Sequence, residues 1–81
     1  MRVTLRLFAR LRDLSGKSEL TLDVPAGSDA QSVWNGLALE YPALAPYTGS
    51  VSCAINEEYA KLTTRLEDGD EVAFLPPVSG G

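Results

Sequence analysis

Val3, Leu5, Leu7 and Ala9 alternate with Thr4, Arg6 and Phe8. A period of two is the signature of a strand with one face in a core. Leu11 and Leu14, three apart, predict a helical turn that Gly16 ends. Alternation returns in Leu20, Leu22 and Val24, a second strand that pairs antiparallel with the first across a short connection. Ser28 then reads as a helix N-cap, with Gln31 completing a capping box and Asp29 in the first turn. Ala30, Val33, Trp34, Leu37 and Ala38 follow the helical period as one apolar stripe, and Pro42 ends it. Gly36 sits inside this helix, either for a close approach to the sheet or as a tolerated defect. Residues 43–50 read as a loop. Val51, Cys53 and Ile55 mark a third strand, Asn56-Glu57-Glu58 a turn, and Tyr59 to Leu62 a short edge strand. After an Asp-Gly turn at 66–70, Glu71 to Leu75 is the last strand. Its unbroken apolar run, Val72 to Leu75, predicts a central strand buried on both faces.

A hairpin, a helix and further strands describe an α+β domain, with one main helix covering one face of a mixed sheet. That is the β-grasp, or ubiquitin-like, arrangement. It accounts for residues 1–75 as one domain and leaves 76–81 as an extended tail.

With 81 residues, 44% of them hydrophobic and 22% charged, the chain suits one modest core and not a deep private active site. It contains no histidine and one cysteine. A Ser/His/Asp or Cys/His catalytic site cannot be built from such a set, nor can a thiolate–imidazole zinc site. No glycine-rich nucleotide loop occurs, and no metal site is expected. The net charge of −4 argues against nucleic acid, whose binders carry clustered positive charge. The charge is uneven: the first 27 residues sum to +2 and the remainder to −6. Such polarity suits docking to a protein of complementary pattern, or else a plain solvated surface. The N-terminal stretch MRVTLRLFARLRD lacks the apolar run of a signal peptide or membrane span, so the expected compartment is a reducing cytoplasm.

The end of the chain, PPVSGG, is unlike the rest. Pro76 and Pro77 donate no backbone hydrogen bond and fix φ, so they stop the strand and hold the chain extended. From Pro76 to Gly81 the chain reaches roughly 20 Å at about 3.3 Å per residue. Gly80 and Gly81 carry no side chain and can thread a slot too narrow for anything larger. A stiff exit, a thin probe and a carboxylate at its tip are the parts of a carrier arm.

The stretches LFARLRDLSG (7–16), AINEEY (54–59) and LEDGDEVAFLPPVSGG (66–81) resemble the small subunits of molybdopterin synthase, a family of ubiquitin-like sulfur carriers. The resemblance spans nearly the whole chain. The chain departs from the family pattern at Asp13, where glutamate is common, and at Leu75, where a second aromatic is common. What the resemblance implies is a mechanism that needs no histidine in this chain. An E1-like activating enzyme spends ATP to adenylate the Gly81 carboxylate, and sulfide from a donor replaces AMP to give a thiocarboxylate. The tail then enters the large subunit, where its sulfur goes to cyclic pyranopterin monophosphate to build the molybdopterin dithiolene. The implied assembly is a heterotetramer, with catalytic side chains on the large subunit and no cofactor bound to the small one.

Gly81 is therefore the expected reacting residue, with Gly80, Ser79, Val78, Pro77 and Pro76 as the inserted arm. Phe8 and Arg6 lie on the face of the first strand opposite Leu5 and Leu7. Together with Phe74 or Leu75, whichever faces away from the helix, they are the expected docking surface. Cys53 reads as core rather than as a sulfur relay, because it alternates with Val51 and Ile55. Trp34 reads as core, and the acidic run Glu67 to Glu71 as a solvated turn without the spacing of a calcium loop. Three other functions share this outline: a carrier for thiazole biosynthesis, a modifier joined to lysines through Gly81, and a binding module with an inert tail.

Overall fold

A computed structural model describes residues 1–77 of the protein. The order is β1 (Arg2–Leu7), α1 (Ala9–Ser15), β2 (Glu19–Asp23), α2 (Ala30–Glu40), a 3-10 helix (Pro42–Tyr47), β3 (Ser52–Ile55), β4 (Glu58–Ala60) and β5 (Glu71–Leu75). The strands form one sheet in the order β2-β1-β5-β3-β4. β1 runs parallel to β5, and the other neighbours are antiparallel. This is the mixed sheet of the β-grasp fold, with α2 on one face.

The alternating residues of β1 and β5 meet the helix stripe as the sequence pattern requires. Val3, Leu5, Leu7, Val72 and Phe74 point to the same side as Val33, Trp34 and Leu37, and all are buried. Trp34 and Phe74 are wholly buried, and their rings meet edge to face with centroids 5.1 Å apart at 65°. Such an arrangement adds about 0.5–1.5 kcal/mol beyond area burial. The indole N–H donates to Thr48 Oγ1 at 3.0 Å, so the largest core side chain keeps its one polar atom paired. Cys53 is buried in the same core, and its thiol donates to the Ala60 carbonyl at 3.3 Å.

Three local expectations are corrected, and the open question of Gly36 is decided. The cap of α2 is Asp29, one residue later than Ser28: Asp29 Oδ1 accepts from Ser32 N at 2.8 Å, and Ser32 Oγ accepts from Asp29 N. Ser28 Oγ instead donates to the Pro25 carbonyl. Residues 42–47 form a 3-10 helix rather than a loop. Pro42 occupies its first turn, where a missing N–H costs nothing, and Leu44 anchors it in the core. Gly36 is exposed, and a Cβ there would meet nothing within 4 Å, so no close approach explains it. β5 is central as predicted, but only Val72 and Phe74 are buried, while Glu71, Ala73 and Leu75 are half-exposed on the other face.

The Ser32 N–H bond holds the Asp29 carboxyl below its ordinary value. A depressed folded value means that Asp29 stabilises the fold above the ordinary carboxylate pKa, and that this is lost as pH falls through the lower, folded value. Asp29→Asn keeps an N-cap acceptor and removes the titration. The variant is expected to lose less stability than the parent between neutral and strongly acidic pH, measured by urea unfolding at a series of pH values.

The chain leaves β5 through Pro76, half-buried, and Pro77, exposed. The expected arm residues Val78, Ser79, Gly80 and Gly81 lie outside the described residues. Among the described residues no helix is long and apolar enough to cross a membrane.

Candidate functional site

The outer sheet face is set by register. Glu19 stands opposite Arg6, Arg6 opposite Ala73, Ala73 opposite Ala54, and Ala54 opposite Tyr59. These residues make one row across all five strands, and opposite residues share a face. The two alanines at its centre are short, while the side chains around them are long. The result is a groove of about 280 Å³ with Ala54 and Ala73 in its lining and Arg6, Phe8, Tyr59 and Leu75 around them. Phe8 is 39% exposed and Tyr59 81% exposed, so two aromatic rings border the groove in contact with water. Exposed aromatics beside a polar rim are the composition of a protein-docking surface.

Two local features flank the groove. Phe8 is extended and precedes Ala9, whose φ of 51° turns the chain abruptly into α1. The Arg6 guanidinium lies 5.7 Å from the Phe8 ring centroid and 3.8 Å from Glu71 Oε1. On the opposite side Asn56 and Glu57 form a two-residue hairpin turn, both with positive φ. A turn of this hand matches the strand twist. The Asn56 amide braces it: Nδ2 donates to Asp70 Oδ1 at 2.9 Å, and Oδ1 accepts from Glu71 N at 3.0 Å.

Of the sequence candidates, Arg6, Phe8 and Leu75 come together here, and Pro76 and Pro77 follow directly. Phe74 does not belong. It faces the helix, is wholly buried, and is withdrawn from the docking set. Strand alternation allows only one of two adjacent residues on a face, and Leu75 takes the outer one. Tyr59 was missed, because its place beside Ala54 depends on the β3–β4 register, which no local pattern prints. Ala54 and Ala73 were missed for a different reason: they matter by being small.

The acidic run 67–71 forms a self-bonded turn. Asp70 Oδ2 accepts from Glu67 N at 2.8 Å, and Asp68 Oδ1 accepts from Arg2 N at 2.7 Å. Among the described residues no group of three or more His, Cys, Asp or Glu side chains is placed to hold a metal ion. Burial pushes the Cys53 thiol pKa up, which keeps it protonated and poorly nucleophilic. Cys53→Ala is expected to leave sulfur loading of the chain unchanged, read by mass spectrometry with peptide localisation. Lost loading by a folded variant would restore the relay.

The geometry is that of a small sheet domain with an aromatic-bordered groove on its outer face and a last strand that runs directly into Pro76 and Pro77. Known proteins share both fold and sequence. The molybdopterin synthase sulfur carrier subunit of Arabidopsis thaliana is 43% identical over 93% of this chain and 78% of its own length. SAMP1 from Haloferax volcanii superposes with a TM-score of 0.85 at 29% identity, covering 100% of both chains. A chain in the complex of subunits 1 and 2 of molybdopterin-converting factor from Helicobacter pylori matches with a TM-score of 0.69 at 27% identity, again over 100% of both chains. The ThiS family matches residues 5–81, from the middle of β1 to the last glycine, and the chain belongs to that family.

Proposed function

We propose that this protein is the sulfur carrier subunit of a molybdopterin synthase. The observation that carries the reading is the continuity of an outward-facing aromatic groove, through Leu75, with Pro76 and Pro77, which precede the Gly80–Gly81 end in sequence. Similarity to named molybdopterin synthase sulfur carrier subunits supports the choice of pathway over a thiazole carrier.

In this reading an E1-like activating enzyme docks the chain and places Gly81 beside ATP. A carboxylate oxygen attacks the α-phosphorus, pyrophosphate leaves, and the acyl-adenylate forms. Sulfide from a donor attacks the Gly81 carbonyl carbon and AMP leaves, giving the thiocarboxylate. The large subunit then seats the groove formed by Arg6, Phe8, Tyr59 and Leu75 and receives Pro76 to Gly81. Its side chains direct the thiocarboxylate sulfur onto cyclic pyranopterin monophosphate. Two sulfurs build one dithiolene, so two loaded chains serve each product in a heterotetramer. The small subunit binds no cofactor, and the ATP is consumed by the activating enzyme. The reaction takes place in the cytoplasm, without membrane or nucleic acid.

The test is to incubate the protein with activating enzyme, ATP and a sulfur donor, then to locate new sulfur by peptide mass. Localisation is needed because oxidation of Met1 or Cys53 adds nearly the same mass as replacing oxygen with sulfur. Sulfur on Gly81, and molybdopterin formed when the large subunit and cyclic pyranopterin monophosphate are added, is the expected result. An unchanged Gly81 alongside a normally loading control carrier overturns the reading.

A second reading is favoured by the similarity to SAMP1 structures, described as small archaeal modifier proteins. There the activated Gly81 is passed to a lysine amine as an amide. It shares adenylation and differs in the acceptor, so lysine conjugates appearing in place of molybdopterin would select it.

A further inference from the structure

Three non-glycine residues among those described have positive φ: Ala9 at 51°, Asn56 at 51° and Glu57 at 71°. Glu57 lines the groove, and each of the other two is the chain neighbour of a residue that lines it. Ala9 follows Phe8 in the chain, and Asn56 with Glu57 makes the hairpin tip on the other side. Left-handed backbone at ordinary residues is unfavourable, and it gathers where function requires it. Asn56 has a structural reason to be there, since asparagine tolerates this conformation and its amide braces the start of β5. Glu57 has none. It is exposed, and its side chain makes no hydrogen bond or ion pair among the described residues. Glycine would fit the second position of such a turn without strain.

The groove's charges give Glu57 a purpose. Arg6 is engaged by the Phe8 ring and by Glu71. Glu57 is then the lining charge left without a counterion among the described residues. We infer that Glu57 is a specificity-determining residue of the docking groove, held in a left-handed turn so that its carboxylate pairs with a lysine or arginine side chain of the large subunit. This rests on the proposed function, which supplies the partner. The chain's net charge of −4 favours a basic partner surface in the same sense. A pair at a groove rim selects and orients the partner and is sensitive to salt.

The experiment measures binding of the purified large subunit to the full chain and to Glu57→Gln and Glu57→Gly, at low and high salt, with urea unfolding of each. Glu57→Gln keeps the strained backbone and loses the charge. It is expected to bind about fivefold more weakly at low salt, with the gap closing at high salt and the unfolding midpoint unmoved. Glu57→Gly is expected to lose the same affinity while unfolding at an equal or higher urea concentration, because the strain is relieved. Equal low-salt affinity of the parent and Glu57→Gln overturns the inference, as does a clear fall in the Glu57→Gly midpoint. If the parent itself does not bind the large subunit, the proposed function falls and the inference with it. A parent that binds and weakens on Leu75→Ala, with Glu57→Gln unaffected, removes the inference alone.

Discussion

Adding one residue after Gly81, or deleting Gly81, is expected to abolish sulfur loading while the fold is unchanged. The chemistry of the proposed carrier happens at one carboxyl carbon. One extra residue moves that carbon by up to about 3.8 Å along the arm, and one fewer withdraws it by the same amount. A misplacement of about 1 Å at a reacting centre can cost about 100-fold, so a shift of a whole residue should take loading below detection. Gly81→Ala is a gentler probe. It keeps the length and adds a methyl group to the tip, and is expected to slow loading rather than stop it. The fold should not respond, because the buried core lies within residues 3–74. The readouts are peptide mass for loading and a urea curve for stability. Normal loading of a lengthened tail would refute a slot-threading carboxylate.

Phe74→Ala and Leu75→Ala, one residue apart on β5, are expected to fail in opposite ways. Phe74 is wholly buried against Trp34. Truncating a buried phenylalanine costs about 3–5 kcal/mol in lost burial and a residual cavity. A domain of this size has a total stability of about 4–12 kcal/mol at typical values per residue, so the variant should lose a large share of it, read as a marked fall in the urea midpoint. Phe74→Leu, which keeps most of the volume, should recover much of the loss. Leu75 is half-exposed in the groove, so its truncation should move the urea midpoint little. It should instead weaken binding to the large subunit about tenfold or more, the range of a central interface anchor. If Leu75→Ala binds as the parent does, the groove is not the docking surface. If Phe74→Ala is as stable as the parent, the packing described here is wrong.

Local chemistry was legible without coordinates wherever a residue's role depends on its neighbours in sequence. Alternation through Val3, Leu5 and Leu7 and the helical stripe of Ala30, Val33, Trp34 and Leu37 identified the core, since burial follows the period of each element. Cys53 and Trp34 were placed in that core for the same reason. The cap of α2 was misread by one residue because Ser28 and Asp29 are both good caps. The choice between them rests on where the chain enters the helix: Leu66 N donates to the Ser28 carbonyl, and Ala30 N to the Thr64 carbonyl.

The groove could not be read that way. Arg6, Ala73, Ala54 and Tyr59 come from four strands, and only pairing register puts them in one row. Register is fixed by long-range hydrogen bonds and by which face each strand buries, neither of which is a property of a short stretch. The same is true of Glu57, whose left-handed backbone follows from closing β3 onto β4 in two residues. The sequence by itself determined that the chain folds as a β-grasp domain, because periodicity and turn chemistry are local. Only the tertiary structure decided that Leu75 and not Phe74 faces outward, and which side chains share the groove beside it, because a strand residue's face depends on the sheet it joins.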